Sequence, residues 1–326
     1  MIKNLNNKLL PEGFKVLLPE EAHKEEFLSR KVLDIFIKNG YLLVKTPLIE
    51  YEDNNLKTTN LKIKNIKHDP FILLEPDTKE LLVIRPDITP QIAKLASTKL
   101  NHIKRPLRLM YSGEVLRNIK NLYQSERQFK QIGAEIIGYK YNKGLLEIIN
   151  ITNNIFNNLN IKNIIFDFYV PSLMRFLEKN LKFNKSDKKR IKEAIDNKDI
   201  SLITKNKYKY LQQIIECSGT LSSAKENFKK STFPKNINDI LLKFFKTLEY
   251  IKKNSPNTYI SVDISEGNSF FNYQNIGFKV YNKEDSNVIA IGGDYLLDNK
   301  ESGIGITLII ENISSAFNYK KKNNKF

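Results

Sequence analysis

Along residues 20–39 apolar side chains return at helical intervals, with Leu28, Val32, Ile35 and Phe36 on one stripe and Asn39-Gly40 as a stop signal. That spacing predicts an amphipathic helix. The period then shortens to two, and residues 41–46 read as a strand closed by Pro47, a residue tolerated at a strand end but not in a central ladder. Further strands are expected over 81–85, 107–112 and 127–138, and helices over 89–100 and 144–159. Residues 118–125 are polar, so 107–138 reads as strand, loop and strand. From 170 to 234 the pattern turns Lys-rich and helical, as in Leu173, Phe176 and Leu177 and again in Ile191, Ala194 and Ile195. A helix over 236–253 and strands over 258–264, 276–282 and 287–292 follow. Residues 303–318 read as a glycine-started helix or as a strand and a helix, and 319–326 as a basic tail.

Strands joined partly by hairpins and separated by long helical excursions predict an α+β fold, an antiparallel sheet flanked by helices, and not the regular alternation of a doubly wound fold. The expected organisation is a core formed by 1–169 and 235–318, interrupted by a mostly helical insertion over 170–234.

The net charge of +17, from 53 basic and 36 acidic residues, has two readings. One is a polyanionic partner. The other is composition alone, because Lys, Asn and Ile crowd the whole chain and the basic residues are spread out; on that reading no specific nucleic-acid binding is expected. No apolar run approaches the ~18 residues of a membrane span, so no membrane partner is expected. Residues 1–10 lack the apolar stretch and cleavage site of a secretory signal. Cys217 is the only cysteine, which excludes an intramolecular disulfide and fits a reducing cytoplasm. His23, His68 and His102 lie far apart, so neither a metal site nor a cofactor is expected.

Chemistry enters with the strand over 127–138. Alternation puts Arg127, Phe129, Gln131, Gly133, Glu135 and Ile137 on one face. A carboxylate and an amide on a half-apolar face either meet water on a two-sided sheet or line a binding surface, where a ligand's ammonium or ring N–H would satisfy them. Asp87 and Thr89, where a strand gives way to a helix, are N-cap candidates or site residues. Arg117 suits bidentate capture of a carboxylate or phosphate, or a surface salt bridge.

Taken in order, several segments resemble class II aminoacyl-tRNA synthetases, and histidyl-tRNA synthetase in particular. Lys45-Thr46-Pro47 resembles the first class motif, which makes the dimer interface. Residues 111–138 resemble the second, with Arg117 at its signature arginine and Arg127-Gln128-Phe129-Lys130-Gln131 behind it. Arg85-Pro86-Asp87-Ile88-Thr89 is similar to the family's Arg-Pro-Glu-Gly-Thr segment, and Gly292-Gly293-Asp294-Tyr295 to its Gly-Gly-Arg-Tyr turn. Ser302-Gly303-Ile304-Gly305 through Glu311 resembles the third motif.

The departures carry as much as the matches. Asn312 stands where the third motif has its arginine, and Ile119 where the second has an acidic residue. Asparagine cannot grip a triphosphate as a cation, and isoleucine cannot accept a hydrogen bond from adenine. The histidine-recognition loop falls on 268–273 without its arginine, and the chain stops at Phe326, leaving no room for an anticodon-binding domain. A core of this kind resembles the regulatory subunit that partners the short form of ATP phosphoribosyltransferase. That resemblance implies a non-catalytic cytoplasmic protein of histidine biosynthesis, a homodimeric unit bound to the catalytic subunit, with histidine as feedback effector. It implies a histidine pocket built from Asp87, Thr89, Arg117, Gln131, Glu135 and Tyr273; an effector site at the interface with the catalytic subunit is the alternative. The competing function is a truncated histidyl-tRNA synthetase core that activates histidine with ATP.

Overall fold

A computed structural model describes residues 10–52, 70–118, 126–180, 185–203, 208–266, 273–284 and 286–317. The first element is α1 (Pro19–Lys38), with Pro19 at its start, Glu20 and Glu21 in its first turn and Gly40 in the left-handed region just past its end. These are the proline-first, glycine-last signals of a helix. Its buried stripe is Leu28, Ser29, Val32, Ile35 and Phe36, the repeat expected from the sequence.

The centre is a nine-stranded sheet in the order β1-β5-β6-β12-β11-β10-β7-β9-β8. Its strands are β1 (Leu42–Val44), β5 (Leu107–Leu116), β6 (Gln128–Ile137), β7 (Ile164–Tyr169), β8 (Ser218–Thr220), β9 (Tyr259–Asp263), β10 (Gly277–Asn282), β11 (Val288–Leu296) and β12 (Ser302–Ile309). Pairing is antiparallel except for β1 with β5 and β7 with β9. A small second sheet, β2-β4-β3, is formed by β2 (Ile49–Tyr51), β3 (Phe71–Leu74) and β4 (Leu81–Ile84).

Alternation along each strand makes two dry faces. On one face Met110, Ile132, Ala134, Ile136, Phe166, Phe168, Phe278, Ile304 and Ile306 join a large core. Helices α1, α3 (Tyr141–Asn158) and α8 (Lys235–Asn254) contribute their buried stripes to it. On the opposite face Leu109, Tyr111, Phe129, Tyr169, Tyr273 and Tyr295 join a smaller core with α2 (Thr89–Ser97). Residues 170–234 hold α4 (Pro171–Asn180), α5 (Lys185–Asn197), α6 (Lys209–Glu216) and α7 (Leu221–Lys230), and also β8, which hydrogen-bonds to β9. Leu173, Ile191, Leu211 and Ala224 from this stretch belong to the large core.

The differences from expectation have local causes. β5 continues past Ser112 to Leu116 because β6 offers partners that far, down to the pair Leu116 and Gln128. β11 runs through Gly292 and Gly293 to Leu296, so the expected Gly-Gly turn is strand, held by β12 on one side and β10 on the other. Residues 302–316 are strand and helix, β12 followed by α9 (Ile310–Ala316). β2, β3, β7 and β8 were not anticipated.

Candidate functional site

The junction of β4 and α2 is fixed by Arg85. Its guanidinium donates to Glu114 O (2.8 Å), Thr46 O (2.9 Å), Thr46 Oγ1 (3.0 Å) and Pro47 O (3.3 Å), tying together three segments distant in sequence. Next in the chain, Asp87 is 4% exposed. Burial pushes its carboxyl up, while the nearby Arg117 charge, the Gln131 amide and the backbone N–H groups of Thr89 and Ile88 pull it down. Asp87 Oδ1 is buried with no hydrogen-bond partner among the described residues. Thr89 does not cap α2: its hydroxyl faces the sheet and donates to Glu135 Oε1 (3.1 Å).

Glu135 is the hub. Both of its oxygens are engaged, Oε1 by Thr89 and by Tyr111 OH (3.5 Å), and Oε2 by Tyr295 OH (2.8 Å). Tyr111 OH also meets Thr307 Oγ1 at 2.7 Å. Burial holds the Glu135 carboxyl up to about 8, although the tyrosine and threonine hydroxyls oppose the rise. The side chain fits because Gly305 stands opposite it on β12, where a Cβ would occupy the same space. Gly293, the next residue in the same cross-strand row, leaves room for the Tyr273 ring.

Gln131 accepts from Ile88 N–H (3.2 Å) and, like Glu135, is 1% exposed, so this face of β6 is not a solvated one. Arg117 is buried rather than superficial; its Nε donates to Pro86 O (3.0 Å), and its guanidinium lies 4.8 Å from the Phe129 ring centroid. Tyr273 is buried, and the Arg175 guanidinium holds its carbonyl (2.6 Å) and that of Gln274 (2.9 Å).

All six residues singled out from the sequence therefore meet in one buried cluster on one sheet face. Sequence reasoning missed Tyr111, Thr307 and Gly305, which close the cage around Glu135, and did not give Tyr295 a role. The available signal was the glycine at alternate positions of β12, which makes room for large side chains from neighbouring strands. Ile119 and residues 268–272 lie outside the described residues.

Two further motif positions have structural duties. Asp294 accepts from Asn275 N (2.9 Å), Ile276 N (2.7 Å) and Asn275 Nδ2 (2.7 Å), fixing the chain just after Tyr273. Asn312 donates to Val288 O (2.7 Å), and Glu311 before it accepts from Lys130 N (2.8 Å).

An α+β sheet of this order, with a buried polar site between β5, β6, β12 and the start of α2, is the fold of the class II aminoacyl-tRNA synthetases. The Histidyl-tRNA synthetase family model matches residues 13–313. The chain belongs to that family. Among its relatives, the ATP phosphoribosyltransferase regulatory subunit of Paramagnetospirillum magneticum is 26% identical over 319 residues, 97% of this chain and 83% of that protein. Two solved structures share the fold. A Bacillus halodurans structure described as an ATP phosphoribosyltransferase regulatory subunit/histidyl-tRNA synthetase superposes with a TM-score of 0.79 at 20% identity, covering 99% of this chain and 86% of that one. A chain of the ATP phosphoribosyl transferase (HisG:HisZ) complex from Thermotoga maritima gives a TM-score of 0.63 at 18% identity, covering 88% of this chain and 97% of that one.

Proposed function

We propose that this chain is a non-catalytic regulatory subunit of ATP phosphoribosyltransferase, acting in the cytoplasm in histidine biosynthesis, and that its buried polar cluster takes free histidine as feedback effector. The observation that carries the role is the match over 97% of the chain to a protein named as that subunit. The partner is the short-form catalytic subunit.

The ligand reading rests on the cluster's chemistry. A buried carboxylate oxygen of Asp87, without a partner among the described residues, calls for a donor, and a ligand ammonium supplies one. Arg117, beside it, would take the ligand carboxylate. Gln131 and Glu135 would take the ammonium or the imidazole ring. Such binding regulates only if one quaternary state holds histidine more tightly than the other, because equal affinity shifts nothing. Self-association into a dimer is supported by Leu42, Leu43, Ile49, Ile72 and Leu74, which are exposed at β1 and on the small sheet beside the first-motif segment.

The experiment is copurification with a short-form ATP phosphoribosyltransferase, followed by the phosphoribosyl-transfer rate with and without this chain. The expected result is a stable complex, a higher rate in its presence and inhibition by histidine. No complex and an unchanged rate would overturn the reading. ATP–pyrophosphate exchange with histidine is expected to be absent, and clear exchange would favour the synthetase alternative.

A further inference from the structure

Tyr273 enters the ligand cluster from the segment just before β10, and glycines mark where its ring falls. Gly277, Gly293 and Gly305 are cross-strand neighbours in one row that ends at Glu135. Each leaves the space of a side chain: the Tyr169 ring stands over Gly277, the Tyr273 ring over Gly293 and the Glu135 carboxyl over Gly305. The Tyr273 ring therefore sits between Tyr169 and Glu135 on the polar face.

The backbone behind that ring is clamped from two directions. Arg175 donates through Nη1 to Tyr273 O (2.6 Å) and through Nη2 to Gln274 O (2.9 Å). Asp294 Oδ1 accepts from Asn275 N–H (2.9 Å) and Ile276 N–H (2.7 Å). The main chain of Asp294 adds two bonds, accepting from Gln274 N–H (2.7 Å) and donating to Ile276 O (3.1 Å). Residues 273–276 are thus gripped through their carbonyls by a cation and through their N–H groups by an anion.

The two grips come from different parts of the fold. Asp294 belongs to β11 and is part of the sheet. Arg175 belongs to α4, the first helix of the 170–234 stretch. Leu173 and Leu177 of α4 are buried in the large core. Arg175 lies about 200° round the helix from Leu173. One side of α4 is therefore anchored in the apolar core, and the other holds the Tyr273 segment. A guanidinium fork reaches two adjacent carbonyls at once, which a point-like ammonium does less well.

We propose that Arg175 is a positioning residue for the ligand cluster: it sets the Tyr273 ring beside Glu135 and so couples α4 to ligand binding. This inference rests on the reading of the cluster as a histidine site. Coupling is reciprocal, so histidine must tighten the clamp by the same free energy that the clamp contributes to binding.

The test is titration calorimetry of histidine into the full chain, comparing wild type, Arg175→Ala, Arg175→Lys and the apolar-core variant Ile136→Ala. Amide hydrogen exchange at residues 274–276, with and without saturating histidine, runs beside it. Arg175→Ala is expected to weaken histidine binding about tenfold or more, and Arg175→Lys roughly threefold, because an ammonium restores part of the grip. Ile136→Ala, destabilised elsewhere, is expected to bind as wild type does, so lost stability alone would not account for the effect. Histidine is expected to slow exchange at Asn275 and Ile276 about tenfold in wild type and by less in Arg175→Ala. Arg175→Lys carries the test if Arg175→Ala fails to fold. Wild-type affinity in the Arg175 variants, or an equal loss in Ile136→Ala, overturns the proposal and leaves the histidine site standing. No histidine binding by wild type overturns that reading and the proposal with it.

Discussion

The two faces of β6 are equally dry and chemically opposite. Ile132, Ala134 and Ile136 join the large core, to which α1 and α3 contribute their buried stripes. Gln131 and Glu135, on the other face, are buried to the same degree among tyrosines, a threonine and an aspartate. Burial of the first set stabilises the fold directly through removal of apolar surface from water. Burial of the second costs free energy unless every lone pair and proton is matched, and among the described residues Asp87 Oδ1 has no match.

Substitutions on the two faces should therefore move opposite properties. The largest effect is expected from Ile136→Ala, which opens a cavity in the apolar core. A loss of about 2–5 kcal/mol in chemical denaturation is expected, with histidine affinity unchanged wherever the protein remains folded. Gly305→Ala comes next. Its added Cβ falls on the Glu135 carboxyl, so the side chain must leave its cage, at a cost of about 1–3 kcal/mol together with weakened ligand binding. A stability loss without any change in binding would mean that Glu135 is merely a packed residue.

The pH dependence gives a smaller and more specific contrast. Glu135 rises from an ordinary 4.5 to about 8 on folding, so between those values the folded chain holds a proton that the unfolded chain releases. Stability contributed by this proton is present at low pH and is lost as pH climbs through the window. Glu311 is likewise pushed up by burial to about 8 and adds a slope of the same sign. Glu135→Gln should flatten part of the slope and, at pH 8, raise the stability of the ligand-free chain by roughly 1–2 kcal/mol. Thermal melts from pH 5 to 8 read both effects, and an unchanged slope would show that Glu135 ionises normally. The apolar-face variant Ile136→Ala should shift the whole curve and leave its shape alone.

Much of this contrast was legible in the sequence. The period-two pattern of β6 assigned Gln131 and Glu135 to one face, and Asp87, Thr89, Arg117 and Tyr273 came from ordered motifs. Local pattern could not tell whether that face met water, because burial depends on what covers it: α2, Tyr111 and Tyr295. Thr307 and Gly305 reach Glu135 through strand pairing, which no local window records. β7 went unread although Ile164–Tyr169 is strongly apolar, because Asp167 interrupts the run and helical signals flank it. β8 is three residues of Ser, Gly and Thr with no hydrophobic alternation at all, and its strand state comes only from pairing with β9.

The most direct test of the dry polar face as a ligand site is titration calorimetry of histidine into the purified chain, comparing wild type with Gln131→Ala and Glu135→Gln. Saturable binding by wild type, weakened about tenfold or more in each variant, is the predicted result. Histidine bound with the same affinity by all three proteins, or by none of them, would contradict it.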